Sequence, residues 1–239
     1  MARLDQVLAQ RGLVASRSQA DSYIKLGQVT LNGKKVTKPS TPVTDGDQLA
    51  VLAAEQYVSR AALKLASVAE ALELDFGGKV VLDIGSSTGG FTQYALMHGA
   101  KQVMAVDVGT MQLHPSLRDD PKIILMEQTD FRSLTKLPMA PDIMLADVSF
   151  ISLRQILPTA LQLGGPQTQY AVMVKPQFEA GDNSKHKGII KNDQMRRQIL
   201  KDFEQWAQLH FVIRAKADSA VSGGKGNRER FYLLSKARS

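Results

Sequence analysis

Four carboxylates sit where apolar runs end. Asp83 lies within Val80-Val81-Leu82-Asp83-Ile84. Asp107 closes Val103-Met104-Ala105-Val106, Asp130 follows a third run near 123–126, and Asp147 follows Ile143-Met144-Leu145-Ala146. Lys175 closes a further run, Tyr170-Ala171-Val172-Met173-Val174, just before Pro176. One such acid is more often a turn or cap residue. Four of them at the carboxyl edge of a parallel sheet face a single crevice. A lysine partly desolvated beside Asp147 can lose its proton and act as a base, although ion-paired scaffolding is the plainer role. Beyond Asp83 runs Gly85-Ser86-Ser87-Thr88-Gly89-Gly90-Phe91. The dinucleotide fingerprint G-x-G-x-x-G fails here, because Ser87 replaces its middle glycine. The spacing D-x-G-x-x-x-G-G suits S-adenosylmethionine instead. That cofactor has no phosphates to cradle, an ammonium that wants a carboxylate, and an adenosine that wants close backbone approach. Asp83, Gly85, Ser86, Gly89, Gly90 and Phe91 are therefore expected at the cofactor. Asp107 is expected at its ribose hydroxyls and Asp130 at its adenine amino group. The alternative is an ordinary tight turn between strand and helix.

These residues need a scaffold, and the hydrophobic pattern supplies one. Strands are expected near 80–84, 103–107, 123–126, 142–146, 170–174, 211–216 and 230–235. Helices are expected from Ser59 to Leu74 and over 90–98, 151–163 and 193–209. Alternation of strand and helix gives an α/β fold, a Rossmann-like, mostly parallel sheet with helices on both faces. Residues 53–57, Ala-Ala-Glu-Gln-Tyr, are read as a linker. This divides the chain into a small α+β module at 1–52 and a large domain at 58–239.

The small module holds much of the charge. The chain of 239 residues carries a net +7, and residues 1–38 hold seven cations against Asp5 and Asp21. Leu4, Val7 and Leu8 outline a short helix stopped at Gly12. Ser16 caps a second helix through Ala20, Tyr23, Ile24 and Leu26, which ends at Gly27. Asn32-Gly33 supplies the two positive φ angles of a hairpin turn, and Asp45-Gly46-Asp47 makes another turn. The pattern from Arg3-Leu4-Asp5 to Asn32-Gly33 resembles the α-L RNA-binding domain of a ribosomal small-subunit protein, pseudouridine synthases and some aminoacyl-tRNA synthetases. Arg3, Arg11, Arg17 and Lys25 are the expected phosphate contacts, positioning an RNA without reading its bases. The bland alternative is a solvated basic face.

Composition is that of an ordinary folded protein, 44% hydrophobic and 22% charged. Cysteine is absent, which removes disulfides and thiolate metal sites and fits a reducing cytosol. The start, Met1-Ala2-Arg3-Leu4-Asp5, has no apolar leader, and no run approaches the ~18 residues of a spanning helix. His98, His114 and His210 are too scattered for a metal site, Trp206 falls on the apolar side of a helix, and His186 sits in a polar loop between Lys185 and Lys187.

Further motifs make the chain similar to a known family. They are Val58-Ser59-Arg60 with Leu63-Lys64-Leu65, Asp147-Val148-Ser149-Phe150-Ile151-Ser152-Leu153, Val174-Lys175-Pro176-Gln177-Phe178-Glu179-Ala180-Gly181 and Gly226-Asn227-Arg228-Glu229. With the Asp83 turn, they resemble the TlyA family, often labelled hemolysins: an RNA-binding module fused to an FtsJ-like ribose 2′-O-methyltransferase. One departure is Ala61-Ala62, where the family usually has two glycines. Alanine stiffens that helix start.

The resemblance implies a catalytic tetrad of Lys64, Asp147, Lys175 and Glu229. Lys175, neutral at the moment of reaction, takes the proton of a ribose 2′-hydroxyl. Lys64 stabilises negative charge on that oxygen, and Asp147 and Glu229 orient the lysines. No metal is needed, because the leaving group is neutral once the methyl has left. The implied substrate is a cytidine of ribosomal RNA, the partner the ribosomal RNA or subunit, and the compartment the cytoplasm. Two other classes stand beside this one. A membrane-active hemolysin lacks the leader, spanning segment and lytic helix it needs. A non-catalytic RNA-binding protein has no use for an intact set of Lys64, Asp83, Asp147, Lys175 and Glu229.

Overall fold

Among the described residues, seven strands form one sheet in the order β11 (Phe211–Asp218), β12 (Arg230–Lys236), β10 (Gln169–Val174), β9 (Ile143–Ala146), β6 (Val80–Ile84), β7 (Gln102–Val106) and β8 (Ile123–Met126). The computed structural model describes residues 2–14, 16–52, 57–181, 189–190, 192–223 and 226–237. In the sheet, β6, β7, β8, β9 and β10 are parallel. β11 and β12 close the edge as antiparallel strands. The chain builds outward from β6 to β8, then returns to β9 on the other side of β6. That reversal opens a crevice beyond the carboxyl ends of β6 and β9.

Period-two alternation sends β6 to two cores. Val80, Leu82 and Ile84 pack with α6 (Leu157–Leu163) and α8 (Asp193–Ala207). Val81 packs on the other face with α3 (Arg60–Ala69) and α4 (Gly90–Met97). Asp83 shares the parity of Val81 and so faces α4. The strand positions agree with the sequence expectation to within a residue or two. The helices are shorter than expected: α3 ends at Ala69, and residues 153–155 form a separate 3₁₀ turn before α6. Pro158 in the first turn of α6 explains that break, since it allows a helix start but not a helix interior. Two one-turn helices, α5 (Pro115–Arg118) and α7 (Pro176–Glu179), begin at prolines and carry too little period to be seen in the sequence.

The N-terminal module has α1 (Leu4–Gln10) and α2 (Arg17–Lys25) against short strands β1 (Ala2–Arg3), β2 (Val29–Leu31), β3 (Lys34–Lys35), β4 (Pro42–Val43) and β5 (Leu49–Val51). Ser16 caps α2 by accepting from the Gln19 N–H at 3.2 Å. Asn32 and Gly33 both adopt positive φ in the β2–β3 turn. The linker residues 53–56 lie outside the described residues, as does the His186 loop over 182–188. The two units touch through α3. Leu63 packs into the module's core with Leu4, Tyr23 and Ile24, and the Gln19 amide donates to the Tyr57 carbonyl at 2.7 Å.

Candidate active site

Two buried lysine–carboxylate pairs stand at the end of the sheet. Lys175, at the exit of β10, lies 2.5 Å from Asp147 and donates to Ser149 Oγ at 2.7 Å. Lys64, projected from α3, lies 2.5 Å from Glu229 at the entry to β12. Glu229 is 2% exposed and Lys64 7% exposed. Buried charges survive only as pairs, because stripping water from either alone costs several kcal/mol. Lys64, Lys175 and Asp147 line one cavity of about 440 Å³, and Glu229 reaches it through Lys64. The tetrad is thus assembled from elements scattered along the chain.

A second cavity, about 670 Å³, adjoins the first on the β7–β8 side. Gly85, Ser87, Asp147 and Ser149 are walls of both. Gly85 has φ +80, and a Cβ there meets the Asp147 carbonyl oxygen at 2.9 Å. Only glycine lets the two strand ends close up in this way. Asp107 borders this crevice and accepts from the N–H groups of Ser87 at 2.8 Å and Gly109 at 2.7 Å. Asp130 also borders it, but Arg132 grips its carboxylate at 2.6 Å and holds it below the usual aspartate range.

Asp83 belongs to the inner cavity. It is 1% exposed. One oxygen accepts from Thr92 Oγ1 at 2.7 Å, and the other is buried with no hydrogen-bond partner among the described residues. Burial, and secondarily the nearby Asp147 charge, push its carboxyl up to about 7. Ser86 and Phe91 line this cavity too. Gly89 and Gly90 border neither cavity, and their missing side chains serve packing. A Cβ on Gly90 meets Ser59 Oγ and, at 2.9 Å, the Ala62 N, and one on Gly89 meets Leu113 and Leu117. Gly90 thereby lets the first turn of α3, the helix that carries Lys64, lie against α4.

Other side chains around the two cavities escape a reading of the sequence. Ser149 touches Lys175 and faces both cavities. Its only signal was its place in the motif after Asp147. Phe150 is 89% exposed and sits at φ +64, a strained setting for an aromatic residue, with its ring 5.2 Å from that of Phe178. Glu179, raised by burial, accepts from Ser152 Oγ and the Leu153 N–H, tying the Asp147–Leu153 loop to α7.

The expected phosphate contacts are largely engaged within the module. Arg3 and Arg17 share the buried Asp5, which burial pushes up but the two guanidiniums hold below its ordinary value. Lys25 pairs with Asp21 at 2.7 Å. Arg11 donates to the carbonyls of Thr44, Asp45 and Asp47 and so braces that turn. Lys34, Lys35 and Lys38 are exposed and make no ion pair among the described residues.

No helix among the described residues is long and apolar enough to cross a membrane. Comparison with known proteins matches residues 57–236 to the FtsJ-like methyltransferase family and residues 2–49 to the S4 domain. The 16S/23S rRNA (cytidine-2′-O)-methyltransferase TlyA of Mycobacterium tuberculosis is 38% identical over 98% of this chain and 89% of its own. The 23S rRNA (cytidine-2′-O)-methyltransferase TlyA of Campylobacter jejuni is 39% identical over 98% and 99%. A solved structure from Streptococcus thermophilus, a hemolysin by name, is 36% identical, covers 99% of this chain and 89% of its own, and superposes with a TM-score of 0.73. With two paired lysines at the end of a methyltransferase sheet and an S4 domain docked beside them, this chain belongs to the TlyA family of FtsJ-like methyltransferases.

Proposed function

We propose that this protein transfers a methyl group from S-adenosylmethionine to the ribose 2′-hydroxyl of a cytidine in ribosomal RNA. One observation carries the reading. The cavity lined by Lys64, Lys175 and Asp147 shares its Gly85, Asp147 and Ser149 wall with a crevice of a size that suits a nucleoside cofactor. The relatives named as rRNA cytidine-2′-O-methyltransferases support the choice of acceptor.

The residues present fit the cofactor. The unpartnered Asp83 oxygen suits an ammonium, the tight Gly85 turn admits an adenosine, and Asp107 borders the crevice where a ribose diol needs an acceptor. Asp130 can serve an adenine amino group only with the lone pairs that Arg132 leaves free. When bound, the cofactor supplies an electrophilic methyl on a sulfonium.

Lys175 Nζ, in its neutral form, accepts the proton of the 2′-hydroxyl. Asp147, 2.5 Å away, stabilises the ammonium so formed, and Ser149 fixes its direction. Lys64 faces the same cavity with a positive charge for the developing alkoxide, and Glu229 holds it in place. Positioning of this kind, with a base worth about 10²–10⁴ in rate, accounts for the acceleration without a metal. Residues 1–52 bind RNA and 58–239 do the chemistry, joined by 53–57. In that module Arg3 and Arg17 keep one face in solvent, side-chain exposures being 44% and 55%. Lys34, Lys35 and Lys38 extend their field, whereas Arg11 and Lys25 act on the fold.

Ribosomal subunits from cells lacking the gene, given labelled S-adenosylmethionine and this protein, test the reading. Label should appear as 2′-O-methylcytidine. It should fall about 10²-fold or more in Lys175→Ala, and Asp147→Ala should add little to that loss. Label on a base, or an unaffected Lys175→Ala, overturns it.

A further inference from the structure

Three cations border the inner cavity, and two are neutralised where they stand, Lys64 by Glu229 and Lys175 by Asp147. The third, Arg60, is partly buried and makes no ion pair or side-chain hydrogen bond among the described residues. A guanidinium at the cavity wall with its donors unspent is available to an anionic ligand there. Its place is informative. Arg60 opens α3 and Lys64 stands four residues on, so both lie on one helix face with Cβ atoms about 5–6 Å apart.

A 2′-hydroxyl in RNA has one phosphate as its near neighbour, the one carried by the adjacent 3′-oxygen of the same ribose. A ribose that presents its 2′-oxygen to Lys64 therefore presents that phosphate about one helical turn away. The flat, forked guanidinium matches two phosphate oxygens at once. The facing wall suits an anion as well. Ser16 and Ser18, at the start of α2, border the cavity, and the first turn of α2 holds no acid. The Gln19 N–H is already taken by Ser16 Oγ, and the positive end of the helix dipole favours negative charge there.

We propose, resting on the transfer reaction argued above, that Arg60 binds the phosphodiester 3′ to the methylated nucleotide and holds its ribose in register with Lys64 and Lys175. Arg60 is then a substrate-binding residue of the active site rather than part of the general basic surface. The N-terminal module closes the phosphate site from the other side through α2.

The test measures two quantities on Arg60→Ala and Arg60→Lys. One is the salt dependence of ribosomal RNA binding. The other is single-turnover methyl transfer with RNA saturating. Arg60→Ala should flatten the slope of log K against log salt by about 0.7–0.9, one phosphate contact. It should slow transfer by roughly 10- to 100-fold, with S-adenosylmethionine affinity and melting temperature unchanged. Arg60→Lys should restore the slope but not the rate, since an ammonium carries charge without the fork. A slope and rate equal to the parent's in Arg60→Ala overturn the proposal. So does a loss matched by weaker cofactor binding or a lower melting temperature, which marks a structural role. A parent protein that transfers no methyl to RNA overturns the reaction itself, a result distinct from the first two.

Discussion

Asp83→Asn should separate stability from function at one atom. The Asp83 carboxyl is pushed up to about 7 from its ordinary 3.8, first by burial and then by the charges of Asp147 and Asp107, against the help of Thr92. At about 1.36 kcal/mol per pH unit, that gap makes the ionised form about 4 kcal/mol less stable in the folded protein than in the unfolded one. The sign follows. Below about pH 4 both states hold the proton and nothing is lost. The folded state loses stability as the pH rises from there to about 7, and the loss is constant above. Asparagine removes the titration. Its oxygen can still accept from Thr92, but its amide nitrogen takes the place of the unpartnered oxygen and leaves a buried donor worth about 1–3 kcal/mol at every pH. The variant should therefore lie within about 1 kcal/mol of the parent near pH 5 and exceed it by about 1–3 kcal/mol near pH 8. Denaturant unfolding at four pH values between these limits measures the difference curve, in which other titrations cancel. The same variant should lose affinity for S-adenosylmethionine, because the orphan oxygen suited to its ammonium is gone. Parallel pH curves for the two proteins refute the reasoning, since they place Asp83 in water or beside a cation.

Gly90→Ala should lower stability by about 1–3 kcal/mol, because its Cβ falls 2.9 Å from the Ala62 N, and methyl transfer should fall with it as Lys64 is displaced. Gly223→Ala places a Cβ 2.8 Å from Glu229 Oε1, so it should reduce the transfer rate while leaving cofactor affinity as it was, measured by single turnover and calorimetry. Arg11→Ala should lower the melting temperature but hardly alter the salt slope of RNA binding, and joint Lys34, Lys35 and Lys38→Gln should do the reverse. Phe150→Gly should raise stability by about 1 kcal/mol, read in denaturant, by relieving the φ +64 backbone, and should slow transfer if the exposed ring stacks on a base.

Most of the scaffold was legible because its signals are local. The apolar runs at 80–84 and 170–174, the Ser16 cap and the Asn32-Gly33 turn each specify their element within a few residues. Lys175 and Asp147 could be joined by reasoning about strand ends alone, since both lie at the carboxyl edge of neighbouring parallel strands. Lys64 and Glu229 could not. One comes from a helix before the sheet and the other from the loop entering β12, an antiparallel strand between β10 and β11, so only family likeness linked them. The basic face was legible as charge but not as availability: nothing local to Arg11 says that its donors are taken by the turn at Thr44–Asp47. Phe150 follows the same rule, for a positive φ at a non-glycine residue reflects the loop around it, here pinned by Glu179.

The glycine turn after Asp83 invites a single explanation, close approach of a cofactor, yet its glycines divide the work. Gly85 faces both cavities and brings the β6 and β9 ends together. Gly90 faces away from both and receives α3. Because α3 also carries Arg60 and Lys64 and packs Leu63 into the S4 domain, the same turn fixes how far that domain stands from Lys64 and Lys175. A larger residue at Gly90 therefore disturbs acceptor placement rather than the crevice. Cofactor binding retained in Gly90→Ala beside a lost methyl transfer distinguishes this division of labour from a motif devoted to the cofactor. Equal loss of both assigns Gly90 to the crevice after all.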